Sequence, residues 1–232
     1  MKHLIETTDL SSLPITRYDR LILDSTTNEI VCKGGGYEYV DLGLPSGLKW
    51  AKCNIGAETE TDYGDYFQWG ETTPDTDYTW ATYKYCNGSE TTITKYCTRS
   101  SYGTVDNKTT LDLEDDAARA NMGGVWRMPT STEFQELYDN TDHVWITNYN
   151  GSGVNGTKFT SKTNGNSIFF PASGYANGTR VNDRGSRGGF WSSSLHPSVS
   201  YYGLRLHLYS GGVVPQDYSG RIYGFCVRSV CM

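Results

Sequence analysis

The stretch that most constrains this chain is "YYGLRLHLYSG", residues 201–211, in which Leu204, Leu206 and Leu208 alternate with Arg205, His207 and Tyr209. A period of two marks a strand, because successive side chains point to opposite faces. Three leucines on one face are expected in a core, while the guanidinium, imidazole and phenol opposite are expected to face outward. Gly211 and Gly212 follow, and "VVPQDYS" offers a returning strand, so the segment predicts an antiparallel hairpin. In that hairpin Gln216, Asp217 and Tyr218 come back beside Arg205, His207 and Tyr209. With His196 and Tyr201 in the preceding loop, the two groups are expected to converge on one exposed patch. Exposed residues of this kind should be replaceable by alanine at little cost in stability.

Two helices are legible. Asp115 or Asp116 can cap "DDAARANMG", which Gly123 and Gly124 stop. In "TSTEFQELYDN", Thr130 and Glu133 have capping-box spacing behind Pro129, and Phe134 and Leu137 share one face. Across the chain, 26 Gly and abundant Ser, Thr and Asn predict short strands, turns and long irregular loops besides these helices, hence an α+β chain. Gly34, Gly35 and Gly36 suggest a boundary. Residues 1–36, with a strand-turn-strand pattern in "LILDSTTNEIVCK", read as an attachment or oligomerisation arm or an extra edge hairpin, and residues 37–232 as the main domain.

A net charge of -6 without a basic run argues against nucleic acid as a partner. No stretch approaches the roughly 20 apolar residues of a membrane span, so no membrane insertion is expected. The opening segment also lacks the apolar core of a secretory signal. The six cysteines are expected to be reduced, with Cys86 and Cys97, flanking a hairpin, as the pair to watch. No zinc spacing, metal helix or nucleophile elbow is present, and no cofactor is implied. Asp112, Glu114, Asp115 and Asp116 could hold Ca²⁺, but carboxylates at a helix start are better read as caps. Asp41, Asp62, Asp65 and Glu71 beside Trp50, Trp69 and Trp80 carry a carbohydrate-binding or glycosidase pattern, with core packing as the preferred alternative. The loop "NDRGSRGG", with Asn182 and Asp183 as candidate contacts, could clamp an anion or simply join two strands.

The ordered words "VDLGLPSGLKWAKCNIGA", "YGDYFQWGE", "DNKTTLDLEDDAARANMGGVWRMPTSTEF" and "GGFWSSS", with "VRSV" near the end, resemble the major paralogous domain family of Bacteroides-type gut bacteria and their phages. The resemblance runs from about Tyr37 to Val230. It implies a C-type-lectin-like fold related to formylglycine-generating enzymes, whose "RLPTEAEW" and "GFRCVR" are similar to "WRMPTSTEF" and "GFCVRSV" here. It makes Trp50, Trp69 and Trp126 core residues. It does not imply the enzymes' chemistry, since their cysteine pair is missing from "RGGFWSSSLHPSVSYYGLRL".

A further resemblance is to variable proteins diversified by retroelements, in which substituted positions near the C-terminus form a ligand-binding face. Trp191, Ser192, Ser193, Leu204, Leu206, Ser210, Arg221, Gly224, Val227 and Arg228 match the expected framework. His196, Tyr201, Arg205, His207, Tyr209, Gln216, Asp217 and Tyr218 stand between them as ligand-binding candidates. The resulting expectation is a non-catalytic receptor-binding or display protein of a phage virion or cell surface, contacting a protein or glycan receptor on a target cell. A homo-oligomer is open to it. The alternative is a bacterial surface adhesin that binds glycan, and an oxidoreductase of the formylglycine-generating type ranks last.

Overall fold

Trp50 joins the two ends of the described chain. In the computed structural model it lies on β4 (Lys49–Ala51), opposite Val40 of β3 (Tyr39–Asp41) on one side and Val230 of β13 (Val230–Cys231) on the other. The structure describes residues 37–232, and before them only the backbone of β1 (Arg20–Leu23) and β2 (Ile30–Lys33), paired as the expected antiparallel hairpin. The glycine junction and the role suggested for residues 1–36 lie outside the described residues.

From Lys52 to Leu111 the chain is irregular, held by buried aromatic side chains whose polar tips bond the backbone. Trp69 Nε1 donates to Ser192 O and Trp191 Nε1 to Phe67 O, both at 2.8 Å. Such bonds let large amphipathic residues fill a core without orphaned polar atoms. Trp50, Trp69 and Trp126 are all buried, as expected of core residues. Three carboxylates near them bond the backbone: Asp41 accepts from Gly43 N and Asp62 from Thr59 N within turns, while Glu71 accepts from Lys84 N across the loop.

Helix α1 (Ala117–Met122) begins at Asp116, whose side chain accepts from Arg119 N, and ends at Gly123, at φ 71°. Helix α2 (Ser131–Asp139) carries the complete capping box of Thr130 and Glu133, and Arg127 braces Glu133 at 2.6 Å. Phe134 and Leu137 are buried. After α2 come β5 (Thr141–Ile146), β6 (Gly156–Ser161) and β7 (Ser167–Pro171) in one antiparallel sheet, then the pair β8 (Tyr175–Asn177) and β9 (Arg180–Asn182). The last sheet is β10 (Arg187–Leu195), β11 (Tyr202–Tyr209) and β12 (Gly212–Gly220), in that order. The whole is a mixed α+β architecture of few helices and several small antiparallel sheets.

The β11–β12 hairpin turns at Ser210 and Gly211, as the sequence suggests. Leu206 and Leu208 are buried with Phe134 and Leu137, but Leu204 is only half-buried. It pairs with the exposed Tyr218 on the edge strand, at the end of the sheet that opens to solvent. Between Trp191 and Leu195 the β10 strand bulges, and the serine run fills the bulge. Ser192 Oγ donates to Leu204 O at 2.7 Å, Ser193 N to Pro129 O at 2.8 Å, and Ser131 N to Ser194 Oγ at 3.1 Å. The serines therefore lock the sheet to the start of α2.

Arg221 and Arg228 are fully buried. Arg221 donates to Tyr83 Oη and to the carbonyls of Lys95, Tyr96 and Ser200. Arg228 donates to Asn54 Oδ1 and the carbonyls of Ala51, Lys52 and Phe169. Each guanidinium thus satisfies several backbone carbonyls from separate parts of the chain. Burial pushes Arg228 down to about 10, which leaves it charged at neutral pH.

Candidate binding site

The sequence-predicted contact residues fall into separate groups. Side chains alternate along β11 and β12, so Arg205, His207 and Asp217 share one face while Tyr202, Leu204 and Tyr218 share the other. The expected single patch is thereby corrected. Arg205 and His207 do not face solvent: their side chains are 15% and 18% exposed. Asp217 Oδ2 accepts from Arg205 Nη2 at 2.8 Å and lies 3.2 Å from His207 Nδ1. The Arg205 guanidinium rests 4.5 Å from the centre of the Phe225 ring. Burial lowers the Arg205 pKa. For Asp217 burial acts to raise the pKa, but His207 and Arg205 outweigh it and the net direction is down. Arg205 and His207, with Tyr175, Asp183 and Arg187, line a notch of only about 50 Å³.

The register explains the split. Arg205 pairs with Asp217 but His207 pairs with Val214, so β12 carries an extra residue beside Pro215. Proline has no N–H for the ladder and is tolerated at an edge-strand bulge. Gln216 turns to the helix side, where its Nε2 lies 3.4 Å from Ser131 O. Tyr209 is exposed beside the turn, next to His143, Val144 and Trp145. Asn182 ends β9 opposite Tyr175, and Asp183, at φ 58°, starts the turn into β10. That loop is a strand connection: Arg184 Nε donates to Tyr66 Oη, and Arg187 lies 3.9 Å from Asp183.

Tyr201 and Tyr218 come together at the open end of the β11–β12 hairpin. They line a cleft of about 460 Å³ with Trp80, Glu90, Tyr202, Ser219, Gly220, Ile222 and Tyr223. Ring centroids are 6.4 Å apart for Trp80–Tyr201, 4.4 Å for Tyr201–Tyr202 and 5.0 Å for Tyr202–Tyr218. The scaffold beneath is fixed. Arg221 Nη1 donates to Ser200 O and Arg221 N to Tyr201 O, seating the Tyr201 loop on a buried cation. His196 packs on Tyr218 at 5.0 Å, but its Nδ1 accepts from Ser198 N and Val199 N, so the ring serves as a loop cap. Its burial lowers its pKa, consistent with a neutral acceptor.

Glu90, Tyr202 and Tyr223 were not among the sequence candidates, and Trp80 was named only in the aromatic-carboxylate pattern with Trp50 and Trp69, not with the C-terminal contact residues. Trp80 and Glu90 are more than 100 positions before Tyr201, in irregular chain that no periodicity places. Glu90 sits in a tight turn in which Asn87 N and Ser89 N both donate to Thr92 Oγ1.

Asp112, Glu114 and Asp115 are the grouping of acidic, histidine or cysteine side chains close enough to share an ion among the described residues. Lys95 Nζ already fills that position, at 2.9, 3.0 and 2.6 Å from the three carboxylates. Asp115 also accepts hydrogen bonds from Tyr85 and Tyr96, which makes the cluster a structural ion-pair network. Cys86 and Cys97 are free thiols bonded to the carbonyls of Trp80 and Arg99 respectively, and Cys86 belongs to the short hairpin facing Ile93. A second cleft of about 470 Å³, lined by Glu38, Cys53, Glu58, Asp65 and neighbours, holds none of the C-terminal candidates.

A family model described as a domain of unknown function, DUF8237, matches residues 150–230, a stretch that includes β11, β12 and the tyrosines of the cleft. No curated protein and no solved structure matches the chain. Among the described residues no helix is long and apolar enough to cross a membrane.

Proposed function

We propose that this chain is a non-catalytic binding module of the C-type-lectin-like kind, acting as a receptor-binding or display protein of a phage or cell surface. The observation that carries this is the aromatic cleft formed by Trp80, Tyr201, Tyr202, Tyr218 and Tyr223 at the open end of the β11–β12 hairpin. Aromatic side chains held by a stiff scaffold offer large contact area with little left to order on binding, which is how recognition surfaces gain affinity. The pairing of β3, β4 and β13, the two helices and the sheet with long loops agree with the architecture that the sequence resemblance implies.

The "GGFW" segment, near which the resembling enzymes carry their cysteine pair, has a packing role. A Cβ on Gly189 would lie 2.2 Å from the Phe225 ring, and one on Gly188 would lie 2.8 Å from Leu208. The "GGFW" glycines therefore admit neighbouring side chains, and no catalytic group is needed to account for them.

The test is a glycan array and a cell-surface binding assay with the whole chain, run beside Tyr201→Ala and Tyr218→Ala. Saturable binding that either substitution weakens supports the proposal. Binding that survives both places the recognition surface elsewhere, and turnover of a bound glycan would replace a binding module with an enzyme.

A further inference from the structure

We propose that the cleft takes an organic cation, specifically an alkylammonium group enclosed by Trp80, Tyr201, Tyr202 and Tyr218 with Glu90 as its counter-charge. This rests on the binding-module reading and names the ligand class of the same site. The first support is charge: the lining contains one carboxylate, Glu90, and no lysine or arginine. Aromatic faces carry negative potential, so rings and carboxylate add in favour of a cation.

The second support is shape. Interplanar angles are 83° for Trp80–Tyr201, 68° for Tyr201–Tyr202 and 37° for Tyr202–Tyr218, so the rings form walls at several inclinations. A pyranose stacks on one flat ring, whereas a tetrahedral ammonium gains from several faces around it. The third is proximity. Glu90 lines the same cleft as the rings, and in line with that the Tyr201 phenol is raised by its hydrogen bond with Tyr202, by burial and also by the Glu90 carboxylate. Arg221, which follows Gly220 of the cleft in the chain, cannot compete for the site. It is fully buried, with its guanidinium 4.7 Å from the centre of Trp69 and 5.3 Å from that of Tyr83.

Calorimetric titration of the whole chain with choline, and with its uncharged isostere 3,3-dimethyl-1-butanol, separates charge from shape. The expected result is saturable choline binding at least about fivefold tighter than the isostere. Glu90→Gln should weaken choline about threefold or more without changing the isostere. Because Glu90 is exposed on a turn, that variant should fold normally, and an unchanged melting curve verifies it. Trimethyl-lysine forms a second arm, and whichever probe binds more tightly identifies a head group or a protein side chain as the source. Equal binding of choline and the isostere, or no choline binding at all, overturns the cation assignment. If neutral glycans then bind in a Tyr218-dependent way, the binding-module reading stands and only the ligand class fails.

Discussion

Arg205 and Asp217 meet across β11 and β12, Nη2 to Oδ2 at 2.8 Å, at the last paired position before Pro215 puts the edge strand out of step. The pair is enclosed by Phe225 and His207, and Arg205 Nε is buried without a hydrogen-bond partner among the described residues. A guanidinium held this way is part of the fold. Arg205→Ala should therefore destabilise by about 2–4 kcal/mol, because Asp217 is left half-buried without its cation and a void opens over Phe225. Tyr218→Ala, on the opposite face and half exposed, should change stability by about 0.5 kcal/mol. Urea denaturation of the two variants checks the assignment of faces. Equal effects would mean that the strand faces are misassigned.

Gly189 pairs with His207, and its missing side chain makes room for Phe225. Phe225 is itself wedged against Trp191, with ring centroids 4.7 Å apart, and under Arg205. It cannot retreat. Gly189→Ala should cost about 2–3 kcal/mol by overpacking, read as a lowered denaturation midpoint. A variant as stable as the original would show that Phe225 moves freely.

Acid should destabilise the protein partly through Asp115. Burial alone would raise its carboxyl, but hydrogen bonds from Lys95, Tyr85 and Tyr96 and the Lys95 charge prevail, so the folded value lies below the ordinary one. A depressed carboxyl contributes stability that is fully present above the unfolded value of about 4 and is lost as pH falls through the folded value. Urea midpoints measured downward from neutral pH should thus decline below about pH 4, and Asp115→Asn should flatten that decline while lowering the plateau. An unchanged acid limb in the variant would remove Asp115 from the account of acid sensitivity.

Local signals were legible where one element decides them. Thr130, Glu133 and Pro129 mark the start of α2, Asp116 and Gly123 bound α1, and the leucine alternation marks β11. What alternation could not show was that both faces of β11 are covered. Arg205 reads as a solvent-facing cation, yet Phe225, 20 positions later, lies against it. The bulge at Pro215 likewise depends on strand pairing, although the proline itself was a visible warning. Of the residues lining the proposed cleft, Tyr201 and Tyr218 were sequence candidates because one precedes the hairpin and the other lies on its returning strand. Glu90 was not, and Trp80 was read only with the N-terminal tryptophans and carboxylates, since tertiary folding of an irregular loop brings both to the cleft.

The most direct measurement compares receptor-cell binding of the original chain with Tyr201→Ala/Tyr218→Ala and with Tyr209→Ala, all labelled and counted by flow cytometry. Tyr209 is an exposed tyrosine of the same hairpin that lines a different cleft. The expected result is binding lost about tenfold or more in the double variant and kept in Tyr209→Ala, with all three proteins melting alike, in line with a recognition site dominated by a few aromatic side chains. Binding retained by the double variant and lost with Tyr209→Ala would contradict the assignment of recognition to the Tyr201–Tyr218 cleft.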